Sequence, residues 1–409
     1  MTLGRLAEAL LILDRLVSLY ADCAGAQHQR GQVLFDLGRS EEAKLCFDRA
    51  LTLDPSHVEA WVDQATTLRS LGHVEQACLA LDQALLLAPT HHRARFNLAD
   101  CHLHLGRFAT GWELYEARRL LPTALPAPDV SQPLWDGSQA VQGRRIFVWW
   151  EQAIGDSFQF VRYVRELESA GAMVYLSAPA SLHAVLSTVS ARCTLLDPGQ
   201  MPAQYDYHCP LQSLPRAFAT RVSSIPSQVP YLSAEPSRRL AWKTRLGDAG
   251  FKVGVAWSGA VRQAGHGRSF PLKELLPLSQ IPGVRLISLQ MNAGVEQLAD
   301  CPPGLSVEVL PYPVDQEGSA FIDTAAIIDN LDLVISCDTS IAHLAGALGV
   351  PVWVALKFMP DWRWGVSGTQ CAWYPSMRLF RQSLRWHWGP VFYAMNEQLR
   401  AQLAATGIR

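Results

Sequence analysis

The 409-residue sequence lacks a surplus of either charge, because 35 basic and 37 acidic side chains leave a formal net charge of −2. Without a general basic field, nucleic acid is not an expected partner. The nine cysteines are scattered and include no Cys-x-x-Cys pair, so they indicate neither a disulfide framework nor a zinc site. A reducing cytoplasm is therefore the expected location, and no bound metal is expected.

Long apolar runs are missing as well. The most hydrophobic stretch near the N-terminus, LAEALLILDRLVSLY, is interrupted by Glu8 and Asp14. It is too charged for the apolar part of a signal peptide and too short to cross a bilayer, so no transmembrane segment is expected. A hydrophobic content of 49% still allows large cores, and the length predicts two or three domains.

The first third of the chain contains an internal repeat. Glycines that each follow a leucine recur at intervals of 34 residues, at Gly4, Gly38, Gly72 and Gly106. Pro55 and Pro89 have the same spacing, and small or apolar residues recur at fixed distances before each proline. This is the tetratricopeptide pattern, which predicts one helix pair per repeat. We assign residues 1–121 to the array: half a repeat before Ala24, two full repeats to about Thr90, and a degenerate third.

Stacked repeats of this kind form a concave surface suited to a protein or peptide, which is the partner expected for the array. An alternative is that the array mediates homo-oligomerisation or stiffens the chain. Four histidines fall in this region, and surface or helix-capping roles are expected for them rather than metal binding: His91, His92, His102 and His104.

Four prolines between 122 and 133 predict a stiff linker over residues 122–143, followed by an α/β domain over residues 144–235. Strands are predicted at 145–150, 173–177, 194–196 and 205–208, with a helix at 158–167. Tyr207 and His208 lie at the end of a predicted strand and Gln212 follows it, so these three residues are candidates to face an acceptor. Core packing is the alternative for Tyr207.

A second α/β domain is predicted over residues 236–409. Its strands are expected at 252–257, 284–290, 331–336 and 352–356, and a final helix at 391–404 is expected to cross back to the first domain. Asp338, Thr339 and Ser340 lie between an apolar strand and a small-residue helix predicted over 341–348. Side-chain oxygens and backbone N–H groups meet there at a helix N-terminus, which indicates a site for a diphosphate.

The segment DTSIAHLAGALGVPVW, residues 338–353, resembles the donor-site motif of the heptosyltransferase-like glycosyltransferases of family 9. The resemblance covers roughly residues 145–409. It implies the GT-B fold of two Rossmann-like domains, so the expected fold class is α + α/β, with tetratricopeptide helical repeats followed by a GT-B fold. It also implies an inverting reaction with a nucleotide-diphospho-sugar as the donor substrate and no cofactor.

The resemblance makes Asp156 the candidate general base, because family members carry an acidic residue after the glycine of this first strand–helix turn. A carboxylate is suited to accept a proton from an attacking hydroxyl. The alternative is that Asp156 caps the following helix. Glu151 is a weaker candidate in the same loop. Related sequences usually have glycine where this chain has Ala153, and a degenerate, non-catalytic domain would be consistent with that change.

The resemblance also assigns the donor side. Ser258 and Arg268 match the positions that hold the diphosphate, with Arg262 and His266 as nearby alternatives. Gln290 is expected to meet the base or ribose, and Asp338 is expected to hold the turn or a ribose hydroxyl. Thr339, Ser340 and His343 are expected to contact the ligand. Other polar residues have predicted secondary roles, with Asp323 capping a helix and Asp361 and Arg363 bordering the cleft.

The sequence therefore predicts a metal-independent glycosyltransferase whose repeats recruit a protein or peptide acceptor. Two alternatives remain open at this point. One is a non-catalytic, repeat-based binding scaffold with a degenerate GT-B domain, and the other is a glycosyltransferase of cell-surface carbohydrate whose repeats only oligomerise it. The sugar, the nucleotide and the acceptor are not determined by the sequence.

Overall fold

The computed structural model describes residues 3–151, 153–259, 267–311, 314–315 and 318–406. The chain divides into two compact units. The helical unit comprises Met1–Ala124 together with Asp361–Val366, and the α/β unit comprises Leu125–Pro360 and Ser367–Arg409. No helix among the described residues is long and apolar enough to cross a membrane.

The helical unit consists of antiparallel helices joined by short turns. In chain order its α-helices are α1 (Leu3–Leu19), α2 (Ala24–Asp36), α3 (Ser40–Leu53), α4 (Val58–Ser70), α5 (Val74–Leu87), α6 (His92–His104) and α7 (Phe108–Tyr115). Short 3₁₀ turns follow at Glu116–Leu120 and, much later in the chain, at Trp362–Trp364. Helix α2 packs on α3, α4 on α5, and α6 on α7, so the predicted helix pairs are confirmed.

The repeated glycines and prolines have physical roles in these pairs. Gly38, Gly72 and Gly106 have φ angles of +78°, +88° and +72° between the two helices of each pair, a conformation that favours glycine. Pro55 and Pro89 come directly after α3 and α5, where a residue without an N–H ends a helix. Gly4 differs from this pattern because it lies inside α1.

The third repeat is shortened, and a distant segment of the chain completes it. Helix α7 has 8 residues, whereas α3 and α5 have 14 each. The ring of Trp362 packs edge-on against Trp112, with centroids 5.3 Å apart, and against Tyr115 at 6.1 Å. Asp361 accepts a hydrogen bond from the Arg363 backbone N–H and pairs with its guanidinium. Asp361 and Arg363 therefore belong to the helical unit, which differs from the predicted position at the cleft.

The first half of the α/β unit contains a parallel sheet. Its elements are β1 (Arg145–Trp149), α8 (Ile154–Phe160), α9 (Tyr163–Ser169), β2 (Met173–Ser177), α10 (His183–Leu186), β3 (Thr194–Leu196), β4 (Tyr207–Pro210) and α11 (Leu214–Ala217). Within the described residues this first sheet has four strands in the order β3-β2-β1-β4. Ile146 of β1 pairs with Val174 on one side and Tyr207 on the other.

The second half contains a larger parallel sheet. Its elements are α12 (Pro236–Leu246), β5 (Phe251–Ala256), α13 (Leu276–Ser279), β6 (Val284–Ser288), α14 (Ile322–Ile328), β7 (Leu333–Cys337), α15 (Ser340–Ala347), β8 (Val352–Leu356), β9 (Met377–Arg381) and α16 (Gly389–Thr406). Within the described residues this second sheet has five strands in the order β6-β5-β7-β8-β9. Strands β5 and β7, which precede the predicted phosphate-binding residues, are therefore neighbours.

Helix α16 packs on the core of the second sheet. Its buried residues Phe392, Met395 and Leu399 join the cluster that includes Val253 of β5 and Leu333 of β7. The predicted crossing back to the first domain stays a prediction. The apolar side chains recur every three to four residues, so one face of α16 is buried against the second sheet.

The helix predicted at 158–167 is interrupted, and the buried Arg162 lies at the break between α8 and α9. Its guanidinium donates to the carbonyl oxygens of Trp373 at 2.7 Å and Pro226 at 2.9 Å, and to the Tyr231 hydroxyl at 2.9 Å. These bonds satisfy a cation that would otherwise be costly to bury. They tie the first helix of this unit to two segments distant in sequence.

Candidate functional site

Two carboxylates follow β1, and Gln212 contacts both. The Gln212 backbone N–H donates to Glu151 Oε2 at 3.0 Å, and its side-chain Nε2 donates to Asp156 Oδ2 at 2.9 Å. Gln212 is buried, and it follows β4, the neighbour of β1. The structure therefore gives Gln212 a role in orienting Asp156. Glu151 is buried as an acceptor for a backbone N–H.

The turn that carries Asp156 has an unusual backbone. Ala153, immediately before α8, has φ +56° and ψ 127°, a region that residues with a Cβ rarely adopt. Its carbonyl oxygen accepts from the Ser157 N–H and from Ser157 Oγ, each at 3.3 Å. Helix α8 therefore begins at this turn, with Asp156 in its first turn. A glycine at position 153 would occupy the same turn without strain.

The β1 turn lies against the start of α15, which follows β7 of the second sheet. A Cβ atom at Gly155 would be 3.0 Å from His343 Cδ2, 3.7 Å from His343 Nε2 and 3.8 Å from Ser340 Cα. A side chain at position 155 would therefore crowd the His343 ring. The segments that follow β1 and β7 therefore meet at the starts of α8 and α15, and Asp156 comes next to Gly155 in the chain.

His343 is buried within α15. Its Nδ1 lies 2.9 Å from the Tyr374 hydroxyl, and the two rings have centroids 5.7 Å apart. Tyr374 also stacks on the guanidinium of Arg162, at 4.6 Å from ring centroid to Cζ. The Nδ1 edge of His343 is therefore held by the protein, while its Cδ2 edge faces Gly155.

On the second sheet, the residues predicted to hold a diphosphate converge on Gly259. A Cβ at Gly259 would lie 3.1 Å from Thr339 Cγ2 and 3.3 Å from Arg268 Nε. The Gly259 N–H donates to Ser269 Oγ at 3.1 Å, and Ser258 Oγ lies 3.5 Å from the same atom. The structure therefore brings Ser258, Arg268 and Thr339 together after β5 and β7. Arg262 and His266, the alternatives in this loop, lie outside the described residues.

Gln290 has a different role from the predicted contact with base or ribose. Its Oε1 accepts from the N–H groups of Trp257 at 3.0 Å and Ser258 at 2.9 Å. Its Nε2 donates to the carbonyl oxygens of Ser258 at 2.9 Å and Ala293 at 2.8 Å. A side-chain amide has two donor hydrogens, and both are used here. Gln290 therefore fixes the Ser258 turn.

Asp338, Thr339 and Ser340 form the turn between β7 and α15, as predicted. Thr339 precedes the helix with an extended backbone, and its Oγ1 lies 3.0 Å from Ser336 Oγ. Ser340 is the first residue of α15, where backbone N–H groups have no intrahelical acceptor. Burial raises the pKa of the neighbouring Cys337 thiol, so this residue is neutral beneath the turn.

Asp323 was a candidate helix cap, but the structure assigns that role to Asp315. Asp315 Oδ1 accepts from the N–H groups of Asp323 at 2.7 Å and Thr324 at 3.2 Å. Asp323 instead accepts from Arg238 at 2.8 Å and Trp242 at 2.9 Å. Burial raises the pKa of Asp323, but these two hydrogen bonds outweigh it and hold the pKa below its usual range.

His208 of β4, a candidate to face an acceptor, is buried. Its Nδ1 accepts from Trp149 Nε1 at 3.1 Å, and its carbonyl accepts from the Trp135 N–H at 2.8 Å. The neighbouring Tyr207 is half-buried in the strand. The bonds of His208 attach the segment before β1 to the edge of the first sheet.

In the helical unit, polar residues connect the first helices of successive pairs. Asp63 of α4 accepts from His28 and Gln32 of α2, each at 2.8 Å, and pairs with Arg93 of α6 at 3.0 Å. Arg69 of α4 pairs with Asp100 of α6 at 2.9 Å. We call these residues the polar ladder.

His91 caps α6 by accepting from the Ala94 N–H, so the expected capping role is confirmed for this histidine.

The helical unit consists of tetratricopeptide-like repeats, and the chain also carries a parallel α/β unit. Tetratricopeptide repeat family models match residues 24–57 and residues 62–123. Protein FlbA of Caulobacter vibrioides is 28% identical over 331 residues, covering 75% of this chain and 54% of FlbA. The chain thus spans about half the length of this curated relative. A match over 75% of the chain extends beyond the repeats into the α/β unit.

Two solved structures are similar to part of this chain. MamA from Desulfovibrio magneticus is 24% identical, with 29% of this chain and 67% of that chain covered and a TM-score of 0.28. YrrB, described as a TPR protein with an unusual peptide-binding site, is 24% identical, with 28% of this chain and 59% of that chain covered and a TM-score of 0.26.

Proposed function

We propose that the α/β unit is a metal-independent GT-B glycosyltransferase, similar to the heptosyltransferases, that transfers a sugar from a nucleotide-diphospho-sugar. The observation that carries this proposal is the approach of Gly155 to Ser340 and His343. Ligands of parallel α/β sheets bind beyond the carboxyl ends of the strands. Because the segments that follow β1 and β7 meet, one ligand can contact residues that follow strands of both sheets.

The donor diphosphate binds where β5 and β7 end. Arg268 supplies a permanent positive charge, and Thr339 and Ser340 supply hydroxyl groups beside the N-terminus of α15. The close approach of Gly259 to Arg268 and Thr339 supports this assignment, because a glycine there lets the cation and the threonine come close to the backbone that follows β5. Gln290 maintains the Ser258 turn around that position.

Asp156 acts from the opposite sheet as the general base. It takes the proton of an acceptor hydroxyl while the acceptor oxygen bonds to the anomeric carbon. The bond between that carbon and the diphosphate oxygen breaks, and the sugar configuration inverts. Arg268 and the first N–H groups of α15 stabilise the charge on the departing nucleoside diphosphate. Gln212 positions Asp156 through the 2.9 Å hydrogen bond to Oδ2.

The acceptor in this proposal is a protein or peptide recruited by the repeats. The polar ladder supports it, because charged and amide groups lie along α2, α4 and α6, which are the first helices of their pairs. Such groups suit recognition of a polar peptide backbone and its charged side chains.

Donor binding is tested first, with a thermal-shift panel of nucleoside diphosphates and nucleotide sugars, followed by calorimetry on the best ligand. Arg268→Ala, and separately Thr339→Ala combined with Ser340→Ala, should weaken binding by about 10- to 100-fold, since a hydrogen bond to a charged group contributes about 1.5–3 kcal/mol. Lys273→Ala removes an exposed charge nearby and should leave the affinity unchanged. Unaltered affinity in both site variants would place the phosphates elsewhere.

Catalysis is tested with Asp156→Asn in single-turnover assays. Asparagine keeps the size and still accepts a hydrogen bond from Gln212, but it cannot take a proton at neutral pH. Turnover should fall roughly 10²–10⁴-fold, the usual contribution of a general base, while donor affinity is retained. Glu151→Gln is the matched control, because glutamine keeps the oxygen that accepts from the buried Gln212 N–H. A loss of turnover in Glu151→Gln alone would show that Glu151 is the general base.

A non-catalytic scaffold is the second candidate function, and Ala153 is the observation that favours it. The φ of +56° shows that this turn has the shape of a glycine turn without the glycine. Slow hydrolysis of the donor in the absence of acceptor distinguishes the two functions. A chain that binds a nucleotide sugar but neither hydrolyses nor transfers it would be a scaffold.

A further inference from the structure

Trp386 combines two features that are rare in one large aromatic residue. Its side chain is 58% exposed, and its backbone has a φ of +63°. A left-handed backbone is unfavourable for a bulky residue, and such strain is concentrated at sites of function. Burial of the indole contributes little to folding here, because more than half of its surface remains in contact with solvent. A ligand that covers the exposed face would give this residue a role.

The indole ring of Trp386 lies against the loop that carries Arg268. A Cβ atom at Gly267 would be 2.7 Å from Trp386 Cζ3 and 2.8 Å from Cη2. Gly267 has a φ of +79°, so the loop turns at this residue and brings its backbone close to the ring. Arg268, the cation assigned to the donor diphosphate, is the next residue. The exposed indole is therefore placed beside the candidate donor site.

Gln382 supplies a polar group in the same region. It directly follows β9, it is 5% exposed, and its Oε1 accepts from the Phe358 N–H at 3.1 Å. Because an N–H group can only donate, this bond fixes which end of the amide is the oxygen. Among the residues that the structure describes, the other end, Nε2, has no hydrogen-bond acceptor. A buried donor in that state is costly, and an oxygen atom of a ligand would satisfy it.

Phe358 connects Gln382 with the segment that contains Trp386. The Cζ atom of Arg385, the residue before Trp386, lies 5.8 Å from the centroid of the Phe358 ring. The segment after β9 therefore contacts both the residues that follow β8 and the loop before Arg268. These contacts lie at the carboxyl ends of parallel strands, where ligands of α/β sheets bind. We call Gln382 and Trp386 the β9 pair.

The order of the strands indicates which part of a nucleotide sugar lies on this side. The second sheet has the order β6-β5-β7-β8-β9, and the assigned diphosphate position follows β5 and β7. In the proposed reaction the anomeric carbon must come within reach of Asp156. The turn that carries Asp156 meets the start of α15, the helix that connects β7 to β8. The sugar therefore belongs on the side of β8 and β9, and the base on the side of β6.

We propose that the β9 pair forms the subsite for the sugar of the donor, an inference that rests on the glycosyltransferase function proposed above. The C–H groups on one face of a sugar ring are apolar and stack on the indole, while Gln382 Nε2 donates to a sugar oxygen. Ligand sites commonly combine an aromatic surface with a few such polar groups. The β9 pair thus selects the sugar, whereas Arg268 and Thr339 hold the diphosphate that all such donors share.

The test compares, by calorimetry on the full chain, a nucleoside diphosphate with the matching nucleotide sugar. The probes are UDP, GDP and ADP, each also as UDP-N-acetylglucosamine, GDP-mannose and ADP-glucose. Trp386→Ala should weaken binding of the nucleotide sugar about 10-fold, the order expected when one aromatic face loses its partner, and leave the free diphosphate unchanged. Gln382→Met, which keeps the side-chain length without the amide, should have the same selective effect.

The two ligands separate this inference from the function on which it rests. Equal effects of the Trp386 and Gln382 variants on both ligands, or no effect on either, would overturn the sugar subsite while the diphosphate site stands. Failure of every nucleoside diphosphate to bind the wild-type chain would overturn the proposed function itself, and the sugar subsite with it.

Three further variants distinguish sugar binding from a packing role of the indole. Trp386→Tyr keeps an aromatic face and should retain most of the affinity for the nucleotide sugar. Tyr393→Ala removes an aromatic side chain of α16 that is 66% exposed, and it should change neither affinity. Trp386→Gly relieves the backbone strain, so the thermal unfolding midpoint should be unchanged or higher while the sugar-dependent affinity is lost. A marked fall in that midpoint would show that the indole is a packing residue and would overturn the proposal.

Discussion

Ala153 lies in the turn that carries the candidate base, and its side chain strains the backbone there. Its φ of +56° places a Cβ atom in a conformation that glycine adopts without strain. The carbonyl group of Ala153 accepts two hydrogen bonds from Ser157, and these bonds define the start of α8. The surroundings therefore impose the turn, and the alanine is strained by it.

We predict that Ala153→Gly raises the free energy of unfolding by about 1–2 kcal/mol, because the substitution removes strain of about that size. The midpoint of denaturant unfolding, followed by tryptophan fluorescence, measures the effect. Ala401→Gly in the middle of α16 is the control, and it should lower stability by about 0.5–1 kcal/mol, as glycine does in a helix. Destabilisation by both changes would mean that the Ala153 turn is unstrained.

Gln290 and Gln212 have roles in positioning other residues of the candidate site. Both are buried or half-buried amides that contact residues of the candidate site and not the expected ligand directly. Gln212 contacts carboxylates in the segment that follows β1, and Gln290 contacts backbone groups that follow β5. Such positioning roles depend on which strands become neighbours, so a local sequence pattern contains no signal for them.

At the scale of elements, the polar ladder holds α2, α4 and α6 side by side. Asp63 is its central residue, with partners on both neighbouring helices. Burial raises the pKa of Asp63, but the hydrogen bond from His28 and the charge of Arg93 outweigh it, so the pKa lies below its usual value. The ionised carboxylate is thus favoured by folding.

We predict that Asp63→Asn lowers the stability of the helical unit by about 1–3 kcal/mol at neutral pH. Because the folded-state pKa is depressed, this stabilisation is present above the unfolded value of about 3.9 and is lost as the pH falls through the folded value. The difference between wild type and variant should therefore shrink below about pH 4. Denaturation curves at several pH values measure it. The exposed control Glu41→Gln should show a much smaller difference at every pH.

At the scale of the whole molecule, the chain passes between the two units more than once. Residues Asp361–Val366 belong to the helical unit, although the residues before and after them belong to the α/β unit. Trp362 and Trp364 are each 3% exposed in the chain as a whole, and Trp362 packs against Trp112 and Tyr115. The helical unit is therefore not a detachable N-terminal extension.

This arrangement changes what is expected of a truncated protein. Residues 125–409 alone should associate in solution, because removal of the array exposes two adjacent indole rings. Trp362→Ser with Trp364→Ser should restore a monodisperse α/β unit that keeps its donor affinity. Size-exclusion chromatography with light scattering measures the outcome. The control Leu384→Ser with Trp386→Ser changes residues that are already exposed, so it should not make the truncated protein monodisperse. A monodisperse unmodified truncation would contradict this expectation.

The sequence by itself determined the elements that depend on local pattern. The 34-residue spacing of glycine and proline located the helix pairs, because left-handed φ angles and missing N–H groups end helices wherever they occur. Runs of apolar, β-branched residues located β2, β3 and β8 with the observed bounds, because buried parallel strands need them. Thr339 followed from its place after an apolar strand, whereas Ser258 and Arg268 were assigned through the resemblance to the family 9 glycosyltransferases.

The tertiary structure decided what depends on partners distant in sequence. Trp362 completes the third repeat about 250 residues after Trp112, and Asp315 caps a helix in place of Asp323. The helix at 158–167 is divided where the Arg162 guanidinium meets the carbonyl oxygens of Pro226 and Trp373. A sequence pattern records which side chains are apolar or charged. It does not record which distant groups these side chains will contact, and the energies of burial and hydrogen bonding depend on those contacts.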